Sequence, residues 1–411
     1  MHILLVADGR SPITCRWIQG MLALEHQVTL VSSYPCEAMP GLLAQHCLPV
    51  AFGGLAGSQA GRGEASRGTG SQASQAGGER RKWISRARRV FLEGRYWLGP
   101  LTLGRYAREL HKILAEAKPD LVHALRIPYE GMLAAAAEPD VPLAITVWGN
   151  DLTLHAPTTP AMRAWTRRTL QRANGLLADS RRDLRLACQW GFAADRPQAV
   201  IPGNGGIDLA AMDRVYSSHT DTFANVLPAG VPLVVNARGL RPAYVRNDIF
   251  FQAIPLIQQH RKDVVFVCTS MRGQPEALKW MRRLHLDSNV RLLPYLPQAQ
   301  MWELFQRAEI SASISTHDGT PNTLLEAMAN ACFPVVGDLE ALREWITPGV
   351  NGLVVEPSKP QALAEALLLA LENPELRARA GEINQRLVTE RAEVNAMRAR
   401  LDEFYRAVAR L

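Results

Sequence analysis

The sequence predicts an α/β protein made of two doubly wound, parallel-sheet domains, and three observations carry that prediction. Its 411 residues exceed what one hydrophobic core usually supports. Short runs rich in Val, Ile and Leu alternate with longer amphipathic stretches, the pattern of buried parallel strands joined by right-handed βαβ crossovers. The alternation breaks over 201–232, where turn residues dominate, and a second series starts after it.

In chain order, strands are expected at 3–7, 28–32, 121–124, 143–147 and 175–178, then at 233–237, 264–269, 290–294, 310–315 and 334–337. The opening MHILLVADG ends at once in Asp-Gly, without a basic flank or a small-residue cleavage site, so it reads as the first strand and not as a signal peptide. The turn-rich IPGNGGID puts the hinge at 204–208 and divides the chain into domains 1–205 and 206–387. Residues 388–411 read as one long helix. No stretch reaches the ~18 uncharged apolar residues of a membrane span.

Within the first domain, Leu55 is the lone large apolar residue of 53–80, a segment too polar to offset its ordering entropy and therefore expected to be a mobile loop. The character then changes. Over 81–97, Trp83, Ile84, Ala87, Val90 and Phe91 share one helical face flanked by Lys82, Arg86 and Arg89. Two readings stand: a surface helix docked on the first sheet, or an interfacial helix that seats Trp83 and Phe91 among lipid headgroups while Arg86 and Arg89 meet anionic lipid. The net charge of +7 agrees with an anionic partner. Basic residues form no further stripe and no nucleic-acid motif occurs, so nucleic acid is not expected. The six cysteines show no Cys-x-x-Cys and no Cys/His pairing, which points to reduced thiols in a cytoplasmic protein and away from structural zinc.

The densest chemistry lies in STHDGTPNTLLEAMANACFPVVGD, 315–338. A strand ends, a Gly-Thr-Pro-Asn turn follows, and a helix begins. Proline favours the first helical position, so Thr320 is the expected N-cap and Pro321 the first helical residue. The amides of Asn322, Thr323 and Leu324 then point out of the helix start at the carboxyl end of a parallel strand, where open α/β sheets bind ligands. Such a start suits phosphate, and Gly319 lets backbone approach closely. Asp318 and Glu326 would be repelled by phosphate, so each should face sugar hydroxyls on either side of it. The ligand so inferred is a nucleoside diphosphate sugar.

Asp-Gly-x-Pro-x-x-x-Leu-Glu-Ala-Met-Ala, followed by PVV and REWITPGVNGLVV, resembles the donor-site signature of the retaining glycosyltransferases of family 4, which have the GT-B fold. KPDLVHA, VWGNDL, IPGNGGID and VVNARGL stand in the order and approximate spacing of that family. The resemblance implies two Rossmann-like domains facing a cleft, and a last segment that packs back on the first domain. It assigns Glu326 to the ribose hydroxyls and Asp318 to the donor sugar, in the place of a longer Glu. Arg238 matches the diphosphate-binding arginine. The partner lysine is replaced by a longer loop in which Arg246 is the first candidate and Arg241 the second. On the acceptor side, Gly9 permits a tight approach after the first strand, and Arg10 or Arg16 could meet an acceptor phosphate. Trp148 stands where many members carry histidine, and Asp151 either orients the acceptor or holds a backbone turn. His123 and His317 have no role assigned by this reading.

The activity implied is transfer of a sugar to an acceptor hydroxyl with retention, by front-face attack in which the leaving phosphate oxygen takes the acceptor proton. Arg238, Arg246 and the helix start would stabilise the departing charge. No Asp-x-Asp ends a strand, so neither a metal nor a resident cofactor is expected; the nucleoside diphosphate sugar is a co-substrate. The expected acceptor is a glycan or lipid-linked intermediate of bacterial cell-surface polysaccharide or glycolipid assembly, with peripheral attachment to the inner face of the plasma membrane if 81–97 is interfacial. Rivals are a GT-B sugar-nucleotide epimerase, a noncatalytic binding module and, last, a dinucleotide dehydrogenase, which lacks its Gly-x-Gly-x-x-Gly.

Overall fold

The computed structural model describes residues 1–54, 94–217, 222–241 and 244–410. Most of the expected loop 53–80 lies outside the described residues, as do Trp83, Arg86, Arg89 and Phe91. The chain forms two compact units: Met1–Ala178, Asp183–Val200 and Arg398–Leu411 make unit 1, and Asp179–Arg182 with Ile201–Met397 make unit 2.

Among the described residues of unit 1, seven strands form one parallel sheet: β1 (His2–Ala7), β2 (Gln27–Ser32), β3 (Ala44–Cys47), β4 (Leu121–Leu125), β5 (Leu143–Val147), β6 (Gly175–Ala178) and β7 (Gln198–Val200), in the order β3-β2-β1-β4-β5-β6-β7. Every residue of β4, β5 and β6 is buried, as a sheet covered on both faces requires. The order reverses between β1 and β4, which opens a ligand crevice at their carboxyl ends.

Unit 2 repeats the plan. Its strands β8 (Leu233–Asn236), β9 (Val265–Cys268), β10 (Val290–Leu292), β11 (Ile310–Ser313), β12 (Phe333–Gly337) and β13 (Leu353–Val355) run parallel in the order β10-β9-β8-β11-β12-β13, with the reversal between β8 and β11. Its core packs Val234, Phe250, Phe266, Ile310, Phe333 and Leu367.

The final segment differs from the expected single helix. Helix Pro374–Ala392 stops at Glu393, whose backbone turns extended (φ −64°, ψ 137°), and helix Val394–Ala409 follows. Glu393 causes the break, because its carboxylate accepts the amides of Asn395 (2.8 Å) and Ala396 (2.9 Å) and so caps the second helix. Ile207 takes the interrupted backbone groups: its amide donates to Ala392 O at 2.7 Å and its carbonyl accepts from Val394 N at 3.0 Å. From Arg398 on, the last helix belongs to unit 1. There Tyr405, fully buried, meets His123 Nδ1 at 2.7 Å while Thr146 Oγ1 meets Nε2 at 2.7 Å. Burial pushes the His123 imidazole down to about 3, so this histidine is a neutral core residue.

Candidate functional site

In unit 2 the strand-order reversal puts Arg238 just past β8 and Asp318 just past β11, and the two form an ion pair with only 8% and 13% of their side chains exposed. Ser315 Oγ donates to the same Asp318 oxygen at 3.1 Å. Asn236 fixes the arginine loop: its Oδ1 accepts Arg238 N at 3.1 Å and its Nδ2 donates to Asn247 Oδ1 at 2.9 Å. Arg238 Nε is buried and meets no partner. A buried donor left over after such bracing is what an absent ligand would satisfy.

The helix start is one residue later than expected. Pro321 is the N-cap in extended conformation and the helix runs Asn322–Ala329. Leu324 N donates to Pro321 O at 3.0 Å, so its amide is already used, and the amides ahead of the first turn are those of Asn322 and Thr323. Thr323 Oγ1 is buried without a partner, as is Ser313 Oγ at the end of β11. Asn204, held at φ 49° within a run of positive-φ glycines, donates its Nδ2 to Asn322 Oδ1 at 3.0 Å.

Gly319 and Thr320 both pack against Asp179. A β-carbon on Gly319 would stand 2.6 Å from Asp179 Cγ and overlap both carboxylate oxygens. Thr320 N donates to Asp179 Oδ2 at 3.2 Å and Thr320 Oγ1 to Asp179 O at 2.7 Å. The glycine thus makes room for Asp179, and the threonine is committed to it. Arg182, in the same short segment, donates Nη1 to Asp318 O at 2.6 Å.

Glu326 is 5% exposed and accepts Gln298 Nε2 at 2.9 Å. Arg246 is turned to Asp248, two residues on, through Nε (2.9 Å) and Nη2 (2.7 Å), which holds the Asp248 carboxyl below the usual range. Arg241 donates Nε to Arg238 O at 3.1 Å and so braces the loop.

In unit 1, Gly9 is packed from within: a β-carbon there would stand 2.8 Å from Ser32 Oγ and overlap Cys36 Sγ. Arg10 pairs with Asp8 at 3.0 Å and lies 3.6 Å above the Tyr34 ring. Arg16 sits within helix Pro12–Ala23, past the loop it was expected to serve. Asp151 is fully buried, with Arg126 Nη2 (2.9 Å), Ile127 N (3.0 Å) and Trp148 N (3.2 Å) on its carboxylate. It holds the turn after β5. Trp148 lies under the Arg126 guanidinium, 5.1 Å from the ring centre. Sequence reasoning missed Arg126, Asp179, Arg182, Asn204 and Gln298; each makes its contact with a residue at least 25 positions away. Among the described residues no group of three His, Cys, Asp or Glu side chains stands together as metal ligands.

Two family models match this chain, "Glycosyl transferase 4-like domain" over residues 9–204 and "Glycosyl transferases group 1" over residues 221–387. The chain belongs to the group 1 glycosyltransferases. This group 1 glycosyltransferase is 23% identical over 239 residues to a D-inositol 3-phosphate glycosyltransferase of Corynebacterium glutamicum, matched over 55% of this chain and 56% of the relative. It spans about half the length of the curated relatives it matches. Sucrose-phosphate synthase of Thermosynechococcus elongatus superposes with a TM-score of 0.69 at 14% identity, covering 99% of this chain and 98% of that one. Anabaena HepE, solved with UDP and glucose, superposes with 0.67 at 16% identity over 99% and 100%. At these identities the likeness establishes the fold, which is GT-B.

Proposed function

We propose that the chain transfers a sugar from a nucleoside diphosphate sugar to an acceptor hydroxyl with retention at the anomeric carbon and without a metal. The observation that carries this reading is Arg238, braced at the switch point of unit 2 with a buried, unsatisfied Nε beside Asp318 and near a helix start. A diphosphate oxygen accepts from Arg238 and from the amides of Asn322 and Thr323. Glu326 accepts the ribose hydroxyls, and Asp318, released from Arg238, accepts from the sugar. The carbon–oxygen bond to the diphosphate breaks as the acceptor oxygen bonds to the same face, and the leaving oxygen takes the acceptor proton. Arg238 offsets the charge that develops there. Arg246 serves the diphosphate only if it leaves Asp248. HepE was solved with UDP-glucose, which makes that compound the first donor to try.

The test is a thermal-shift screen of sugar nucleotides, repeated with Glu326→Ala. A stabilising donor whose effect falls in the variant is expected; an undiminished shift sinks the donor assignment. Release of UDP with a new α-linked product separates transfer from epimerisation and from mere binding. The acceptor is read as a glycan or lipid-linked intermediate at a membrane face. Trp97, Leu98 and Leu101 are exposed by 62%, 52% and 77% where 81–97 joins the first unit. Removal of 81–97 should abolish sedimentation with anionic liposomes, and unchanged sedimentation would remove the membrane from this reading.

A further inference from the structure

The reversal of strand order in unit 1, between β1 and β4, carries a group of residues that the donor chemistry does not use. Arg126 leaves β4 with φ 121° and ψ 161°, a backbone conformation that costs a side-chain-bearing residue about 1–3 kcal/mol and persists only where its surroundings impose it. Asp151 imposes it, through one bond to the guanidinium and one to the next amide. The guanidinium lies 5.1 Å from the centre of the Trp148 ring, yet its Nε is buried and meets no partner. Four positions on, Glu130 is 3% exposed; its Oε1 accepts Ser33 Oγ at 2.5 Å and its Oε2 is buried without a partner. Trp148 Nε1 and Asn150 Oδ1 are unsatisfied in the same way. A strained backbone with four orphaned polar atoms, at strand ends that bind ligands in open sheets, describes a seat for a polar molecule.

Charge narrows its chemistry. Arg10 lies 3.6 Å and Arg95 5.5 Å from the centre of the Tyr34 ring, and Arg95 also lies 4.7 Å over Tyr129. With Arg126 these make three guanidinium groups against the carboxylates of Asp8 and Asp151. Burial pushes the Glu130 carboxyl up. Arg126 Nε and Trp148 Nε1 are the donors left without partners, and such donors suit an oxyanion.

We propose that Arg126, with Arg10 and Arg95, forms an oxyanion subsite that selects an acceptor carrying a phosphate or carboxylate beside its hydroxyls, and that Arg126 is the residue that sets this specificity. The word acceptor rests on the glycosyltransferase reading; the anion site itself rests on unit 1 alone.

The test is calorimetric titration of the whole chain with glucose 6-phosphate, glucuronate, glucose and a soluble short-chain phosphatidylinositol, each followed by UDP. At least one anionic probe should bind and glucose should not. Arg126→Gln should weaken that binding by about tenfold or more, the loss of one charged hydrogen-bonding partner, while UDP affinity stays within about twofold. Arg126→Lys should recover part of it. Binding of the lipid but not the sugar phosphate would assign the anion to a headgroup and still support the subsite. If Arg126→Gln fails to fold, Arg10→Gln, on the more exposed arginine, takes its place and should weaken binding several-fold. The proposal is overturned if no anion binds better than glucose, or if the folded variants bind as the wild type does. Anion binding without UDP binding would sink the donor reading and leave this one standing.

Discussion

Replacing Gly319 by alanine tests the account of the donor loop at its tightest point. The glycine has ordinary negative φ, so alanine is compatible with the backbone and the cost is steric. The new methyl would lie 2.6 Å from Asp179 Cγ. Carbon atoms pack at about 3.5–4.0 Å, so the carboxylate must retreat by about 1 Å. That motion breaks its bond from Thr320 N, now 3.2 Å, and strains a short side chain with few alternative rotamers. Overpacking of about 1–3 kcal/mol and a lost hydrogen bond of about 0.5–1.5 are offset by about 0.4–1 from the stiffer unfolded chain, leaving roughly 0.5–4 kcal/mol. For a unit of this size that is a fall in Tm of roughly 1–16 °C. The assay is thermal unfolding of Gly319→Ala, Asp179→Ala and the double variant. With Asp179 truncated the methyl has room, so the alanine should then cost less than about 1 kcal/mol, a coupling that a double-mutant cycle reads directly. If Gly319→Ala is as stable as the wild type, or loses as much in the Asp179→Ala background, the steric argument fails.

Two further outcomes follow from unit 1. The His123 pKa is about 3 in the folded chain against about 6.5 unfolded, so the unfolded chain binds the extra proton between those values. Its contribution is therefore complete above pH ~6.5 and falls by up to about 1.4 kcal/mol per unit as pH drops toward 3. Urea midpoints at pH 7.5 and pH 5 should differ less in His123→Asn than in the wild type; an equal drop in both would refute the assignment. At Gly175, a β-carbon would overlap Val408 and stand 2.9 Å from Phe404 Cζ, both on the last helix, so Gly175→Ala should cost about 1–3 kcal/mol and speed proteolysis near residue 400. Unchanged stability and cleavage would show that this helix can shift without loss.

The central strands were legible because both faces of a parallel sheet are covered and every residue must be apolar, as in LVHAL and LAITV. The strands that escaped, β3, β7 and β13, are all sheet edges of three or four residues with half-exposed sequences such as AQHC. Arg238 and Asp318 were legible for a related reason: each follows a readable strand, and the fold brings the ends of those strands together. Asp179 and Thr320 were not, since 141 residues separate them and neither type announces the other. The neighbour of Gly319 was hidden on the same ground, because a glycine shows that something is close without showing what. Arg126 and Asp151 illustrate the limit from the other side: the acid was found, and the cation it restrains was hidden in a strand end with no motif of its own.

The return of the chain to unit 1 at Arg398 has a consequence for biosynthesis. His123 and Gly175 leave the ribosome early, while Phe404, Tyr405 and Val408 follow only after about 200 residues of the other unit. At roughly 5–20 residues per second this is a delay of roughly 10–40 s. During that interval the nascent first half displays the apolar ground that the last helix will cover, and it is the part translated first that is completed last.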